Sequence, residues 1–334
     1  MKAAFLNNPG EIDIREVPVP EPSAGEVLIR IRAALTCGTD LKAFMRGHPM
    51  IPMPGPFGHE FSGVIEQTGE GVTDFKIGDE VMAVHSAPCL KCSYCGKGLY
   101  NLCENIMDKK VLGAFAEYLL LPAHIVKQNM FHKPGSLSFE EAAFLEPLSC
   151  VVHGMAGLDI RKGDNVLVIG TGPIGLLHML LIRQKGANAI ITARKSDRLD
   201  FAKALGASEA VQIDKLEQGS TGDTGFDFVF ECTGQVEVWE SAVGYARRGG
   251  TVVLFGGAKT GTSVSYDTYR LHYDEITLKG VFHFTPKDVK TAYDLLCEPL
   301  NVSELITGKY RLQEIKTVFK RLAKGDGIKY ALVP

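Results

Sequence analysis

Between a short apolar run, 165–170, and a longer run that reads as a buried helix lies Gly170-Thr171-Gly172-Pro173-Ile174-Gly175. A Gly-x-Gly-x-x-Gly that follows a strand and opens a helix restricts the chain to a narrow set of α/β folds. Gly170 permits the tight turn, Gly172 lets the backbone approach a pyrophosphate, and Gly175 lets helix and strand pack closely. Pro173 and Ile174 open the helix, whose N-terminus favours phosphate charge. The alternation then continues. A strand at 189–193 precedes a helix at 197–207 closed by Gly206. AVQI, FDFVFE and GTVVLFG are three more apolar strands, with a helix near 236–246. Strands alternating with helices imply an α/β fold with a parallel, doubly wound sheet. Two more helical stretches follow, near 287–296 and 312–322.

The end of the second strand selects the cofactor. NAD-binding sheets usually place an acidic residue there, about 20 residues after the glycines, to bind the ribose 2′-hydroxyl. Here the expected acidic position is Ala193, and Arg194 follows it. Without a carboxylate to repel a 2′-phosphate, Arg194 can pair with that phosphate bidentately, with Arg198 as a second donor. These residues favour NADP over NAD.

Before about Ser149 the pattern is different. The runs 26–34, 61–69 and 78–85 alternate or are rich in β-branched residues, with turn residues such as Gly71 and Gly78 between them. They fit a small β-barrel or sandwich. Pro18, Pro20 and Pro22 mark one loop, and Pro49, Pro52, Pro54 and Pro56 another. A net charge of −3 gives no basic field to hold nucleic acid or an anionic membrane. No apolar run approaches the roughly 18 residues that span a bilayer. The start of the sequence is too polar for a secretory signal, so a cytoplasmic protein is expected.

Four of the eight cysteines, Cys89, Cys92, Cys95 and Cys103, fall within fifteen residues. In a long cytosolic chain such crowding reads as metal binding before disulfides. Four thiolates in one loop match a closed tetrahedral zinc site, which leaves no open position and is structural. A second candidate set is dispersed: Cys37 in Cys37-Gly38-Thr39-Asp40, His59 and Glu60 in Gly58-His59-Glu60, and Glu146 in Leu145-Glu146-Pro147. Cysteine, histidine and carboxylate with one exchangeable position make a catalytic zinc site. Taken singly, Cys37 also reads as a small buried hydrophobe, His59 as a core histidine and Glu146 as a helix-end residue. Periodicity does not join them.

Together, and in this order, the Cys37 and His59 motifs, the four-cysteine lobe and the glycine fingerprint resemble the zinc-dependent medium-chain alcohol dehydrogenase superfamily. The likeness covers nearly the whole chain. It implies a GroES-like catalytic β-barrel domain at 1–149 with the zinc lobe at 89–103, and a Rossmann domain at 150–283. A segment at 284–334 would return to the catalytic domain, and the active site would lie in the cleft between domains. Phe144-Leu145-Glu146-Pro147-Leu148-Ser149-Cys150 is similar to the polyol branch, which includes sorbitol, threonine and sugar-phosphate dehydrogenases. By that likeness Cys37, His59 and Glu60 belong to the metal site with Glu146 close by. It leaves open which carboxylate binds directly.

The resemblance implies reversible oxidation of a secondary alcohol to a ketone, with zinc as Lewis acid and hydride transfer to NADP or NAD. Thr39 would carry the alcohol's proton towards the cofactor ribose. Lys42 stands where polyol relatives often have a relay histidine. It reads as a relay, a phosphate contact, an anion-binding group or a solvated lysine. Arg46 and His48, in the 45–57 loop, would suit an anionic substrate group. A homodimer or homotetramer is expected, with the strand 250–257 together with 278–282 continuing a sheet between copies. Zinc-free enoyl or quinone reductases of the same fold lack the cysteines present here. The remaining alternative is a non-catalytic NADP- and zinc-binding sensor or structural protein.

Overall fold

In the computed structural model, which describes residues 1–216 and 225–334, the chain divides into two compact units. One is Met1–Val152 with His283–Pro334, and the other is His153–Phe282.

The first unit is built around the strand Val27–Leu35. Its alternation buries Ile29 and Ile31 and exposes Arg30 and Arg32, as a period of two requires. It pairs antiparallel with Glu60–Thr68, with Tyr118–Leu121 and with Lys329–Val333. Seven strands form this sheet, running in order Ile306–Arg311, Lys329–Val333, Val27–Leu35, Glu60–Thr68, Glu80–Ala83 and Met130–His132, with Tyr118–Leu121 also on Val27–Leu35. A smaller sheet joins Glu11–Glu16, Lys2–Asn8 and Gly55–Pro56. Strands from the first half of the sequence and from its final stretch therefore share one sheet.

The helix Ile315–Ala323 is buried through Ile315, Val318 and Phe319, which lie on one face at helical spacing. The turn before it, Leu312–Glu314, is 3₁₀ rather than α, so the expected 312–322 helix begins later. Glu314 accepts the Arg311 N–H at 2.9 Å, and this cap holds the tighter turn. Phe319 is fully buried and its ring lies 5.0 Å from Phe57, 5.6 Å from Phe44 and 5.9 Å from Phe115. These four rings form the centre of the first unit's core.

The second unit carries a six-stranded parallel sheet. Its order is Glu209–Gln212, Asn188–Ala193, Asn165–Ile169, Phe226–Glu231, Ala246–Leu254 and Thr277–Gly280. In chain order that is third, second, first, fourth, fifth and sixth. The direction of winding reverses beside Asn165–Ile169, the switch point at which such sheets bind dinucleotides. The helix Pro173–Gln184 buries every residue from Gly175 to Ile182 and ends at Gly186, whose N–H donates to Arg183 O at 2.8 Å. The expected helix near 236–246 is shorter, Val236–Ala242, followed by the 3₁₀ turn Val243–Tyr245. A β-branched valine followed by Gly244 is a poor continuation of an α-helix. Among the described residues no helix is long and apolar enough to cross a membrane.

Replacing Phe319 with alanine removes the ring shared by Phe44, Phe57 and Phe115. The expected cost is about 3–5 kcal/mol of stability. It is read as a lower denaturant midpoint for the transition that reports the first unit.

Candidate active site and metal centre

The register of the barrel brings distant residues together. Leu35 pairs with Glu60 on one side and with Ala331 on the other. Thr36 and Cys37 leave the strand just past this point. Thr36 donates its N–H to Tyr330 O at 3.0 Å, and Tyr330 returns its N–H to Thr36 Oγ1 at 3.0 Å. Cys37 then caps the helix Gly38–Arg46, its sulfur accepting the Thr39 N–H at 3.4 Å. The outcome is that one donor atom from each of Cys37, His59 and Glu60 lies within 4.8 Å of the others.

The surroundings suit a cation. Glu60 has no exposed surface, and its Oε1 has no hydrogen-bond partner among the described residues. Burial raises its carboxyl to about 7, against the opposing pull of Lys329. Lys329, also buried, sets its ammonium 2.5 Å from Glu60 Oε2 and donates to Thr36 O at 2.7 Å. His59 turns Nδ1 to Asp40 Oδ1 at 3.1 Å, which leaves Nε2 as the nitrogen available to a metal. Burial alone would lower the His59 pKa, but the Asp40 carboxylate and Cys37 together hold it well above the usual histidine value. A buried carboxylate oxygen without a partner, beside a thiol and an oriented imidazole, fits a zinc ion.

Glu146 stands outside this trio. It sits in the first turn of the helix Leu145–Met155, where Oε1 lies 3.4 Å from His85 Nδ1 and accepts the Cys150 thiol one turn on at 3.7 Å. Burial raises its pKa, with His59 and Lys329 opposing. His85 is itself buried, and its ring packs edge-on at 5.0 Å against His59. Burial, then the neighbouring His59, His283 and Lys110, holds His85 well below the usual histidine pKa, so it is a neutral imidazole. Sequence reasoning assigned no role to Asp40, His85 or Lys329. Asp40 was visible inside the Cys37 motif, whereas nothing local marks the other two.

Cys89, Cys92, Cys95 and Cys103 converge separately, with all four sulfurs within 4.8 Å of one another. Sulfurs around a tetrahedral zinc stand about 3.8 Å apart, so the cluster fits one ion. The backbone N–H of Lys91 draws the Cys89 thiol down to about 6, while burial and the adjacent Cys92 push Cys95 up to about 12. Four neighbouring thiols cannot all ionise without a cation among them.

In the second unit the glycine run forms a cradle. A Cβ at Gly175 would collide with the Gly170 carbonyl oxygen, so helix and strand meet there without a side chain between them. A Cβ at Gly172 would meet nothing within 4 Å, which leaves the backbone open to a pyrophosphate. Gly172 caps the helix and Pro173 occupies its first turn. Ala193 ends its strand, and Arg194, exposed just beyond it, donates to Gln235 Oε1 at 2.7 Å. Arg198 lies in the following helix, Ser196–Ala204.

Residues 23–130 match the family described as alcohol dehydrogenase GroES-like domain, and residues 173–298 the family described as zinc-binding dehydrogenase. The chain is 33% identical to a sorbitol dehydrogenase of Halalkalibacterium halodurans, over 97% of this chain and 96% of that one. It is 30% identical to D-arabinitol dehydrogenase 1 of Uromyces fabae, over 100% of this chain and 97% of that one. Among solved structures it is similar to a candidate zinc-binding dehydrogenase from Sinorhizobium meliloti bound to NADP. That likeness has 30% identity, a TM-score of 0.90, and covers 100% of this chain and 99% of the other.

Lys329→Met strands the Glu60 carboxylate in the interior. It should cost about 3–5 kcal/mol, the usual penalty for halving a buried pair. The double variant Glu60→Gln with Lys329→Met should recover most of that loss. A denaturant-melt double-mutant cycle on the metal-free protein measures both.

Proposed function

Because the chain belongs to the polyol branch of the zinc-dependent medium-chain dehydrogenases, we propose that it reversibly oxidises a secondary alcohol of polyol type to a ketone. Cys37, His59 and Glu60 hold the catalytic zinc, and Cys89, Cys92, Cys95 and Cys103 hold a structural one. The observation that carries the reading is the convergence of Cys37, His59 and Glu60 within 4.8 Å, on a thiol, an imidazole and a carboxylate. When bound, zinc supplies a Lewis acid for the alcohol oxygen and nicotinamide an acceptor for the hydride of the carbinol carbon.

This chain's own residues do the rest. Asp40 orients His59, and Lys329 balances the charge of Glu60. Glu146, against His85, is the further carboxylate beside the trio. Thr39, in the first turn of the helix capped by Cys37, takes the alcohol's proton and passes it on through its hydroxyl.

The second unit takes NADP. Gly170, Gly172 and Gly175 admit the pyrophosphate, with Pro173 and Ile174 opening the helix above it. Arg194, held by Gln235, and Arg198 receive the 2′-phosphate that Ala193 does not repel. The NADP-bound relative supports this choice. The strand Thr277–Gly280 ends its sheet and supports a homodimer or homotetramer in which that sheet continues between copies.

Absorbance of reduced nicotinamide tests the reading, with NADP and NAD in parallel against polyols, diols, threonine and sugar phosphates. Turnover of a secondary polyol is expected. No turnover by zinc-replete protein with any of them would overturn it in favour of a non-catalytic NADP- and zinc-binding protein. Thr39→Val should lower turnover by about 10²-fold or more while zinc content stays at the wild-type level. Arg194→Gln should raise the KM for NADP at least about tenfold and leave the KM for NAD within about twofold, since a charged hydrogen bond to phosphate is lost.

A further inference from the structure

Next to the metal-ligating trio lies a wall that the proposed chemistry does not use. His85 is only 7% exposed, and its Nδ1 faces Glu146 Oε1 at 3.4 Å without forming a hydrogen bond. Its ring continues a line of imidazoles that begins at His59, with centroids 5.0 Å apart, and runs on to His283 at 5.3 Å. His283 Nε2 is hydrogen-bonded to Ser86 Oγ at 2.6 Å. The ring of Phe284 stacks on His283 at 3.9 Å and meets His85 edge-on at 5.9 Å. His283 has φ +61°, a left-handed conformation rare for a side-chain-bearing residue and concentrated at working sites.

Burying the His85 imidazole and the Ser86 hydroxyl costs desolvation that packing alone does not return. A wall serving only to exclude water would be cheaper in leucine or phenylalanine. With Nδ1 on the side of the Glu146 carboxylate, His85 keeps Nε2 as its other polar atom, and a neutral ring can donate or accept through it. Its ring stands 5.0 Å from that of His59, so carbons leaving the Cys37–His59–Glu60 set on this side would pass it.

We propose that His85, with the Ser86–His283 pair behind it, binds the hydroxyls one and two carbons from the reacting carbon and thereby selects polyols over simple secondary alcohols. The proposal rests on the alcohol-oxidising reading above. A site built to hydrogen-bond a substrate hydroxyl discriminates strongly against an analogue that lacks it, because its own polar groups are left unpaired. His85 is here a specificity-determining residue, and Phe284 supplies its apolar backing.

The test compares glucitol with butan-2-ol on the zinc- and NADP-loaded protein, together with calorimetric binding of glucitol. His85→Phe keeps the aromatic packing and removes both ring nitrogens. The expected result is a ten- to hundredfold fall in the ratio of kcat/KM for glucitol to kcat/KM for butan-2-ol, carried mainly by the glucitol KM. Glucitol affinity should fall in parallel, and His85→Gln, which keeps a hydrogen-bonding side chain, should restore part of both. An unchanged ratio, whether activity is kept or lost for both alcohols together, overturns the proposal and reduces His85 to packing. Glucitol binding that depends on His85 in a protein that turns over neither alcohol would sink the dehydrogenase reading while supporting the polyol subsite. Binding that is indifferent to His85→Phe overturns the subsite itself.

Discussion

Glu60 is an acid sealed from water at the end of a β-barrel, and that one desolvated carboxylate governs the arrangement around it. Alone it would hold its proton well above the usual carboxylate range and be useless to a cation. Lys329 supplies an opposing charge at one oxygen and leaves the other without a partner. Lys329 is in turn fixed by the Thr36 carbonyl, one residue from Cys37. Balancing the acid and positioning the thiol are thus done by the same contact. A buried pair of this kind is weak evidence for stability. Its value here is geometric, because it keeps a charged donor dry and in place.

The two cysteine-bearing sites solve the same chemical problem by opposite routes. The Cys89–Cys103 lobe is local: four sulfurs from fifteen residues close on one another, and the short helix Ser93–Gly96 only adjusts their spacing. It needs little from the rest of the fold. The Cys37, His59 and Glu60 set has no local existence. It appears only because Leu35 faces Glu60 across the strand pair and the helix starting at Gly38 turns Cys37 inward. A closed site can be local because it has only to hold its ion. A site that must admit a substrate needs walls from many parts of the chain.

That contrast also sets what the sequence made legible. The doubly wound sheet could be read directly, since the glycine run and the alternation of strand and helix are contiguous patterns. The four-cysteine cluster was equally plain. The dispersed set of Cys37, His59, Glu60 and Glu146 could be named only by likeness to a family, because no periodicity links residue 37 to 59 or 146. The choice between Glu60 and Glu146 was open in the sequence. In the structure, strand register brings Glu60 within 4.8 Å of Cys37 and His59, and a helix turn sets Glu146 against His85 and Cys150. Lys329 could not have been found, as it meets Thr36 across 293 positions of sequence in a stretch that reads as an ordinary strand. His85 follows a strand with no motif around it, and only the rings packed against it give it meaning.

The placement of Lys329 bears on how the molecule is made. The strand Lys329–Val333 completes a sheet begun by Val27–Leu35, yet every residue of the second unit is synthesised between them. On a ribosome the dinucleotide-binding unit, contiguous in sequence, can close while the barrel still waits for its last strand. Until that strand arrives, Val27–Leu35 keeps part of one edge unpaired and Glu60 lacks its counter-charge. A chain that stops early therefore exposes a strand edge and an uncompensated acid, and open edges of this sort invite wrong pairing. Such fragments are what chaperones and proteases clear from cells. The barrel thus gains its balanced centre only in a chain translated past the second unit, and in a truncated product the open edge of Val27–Leu35 and the lone Glu60 are what mark it for removal.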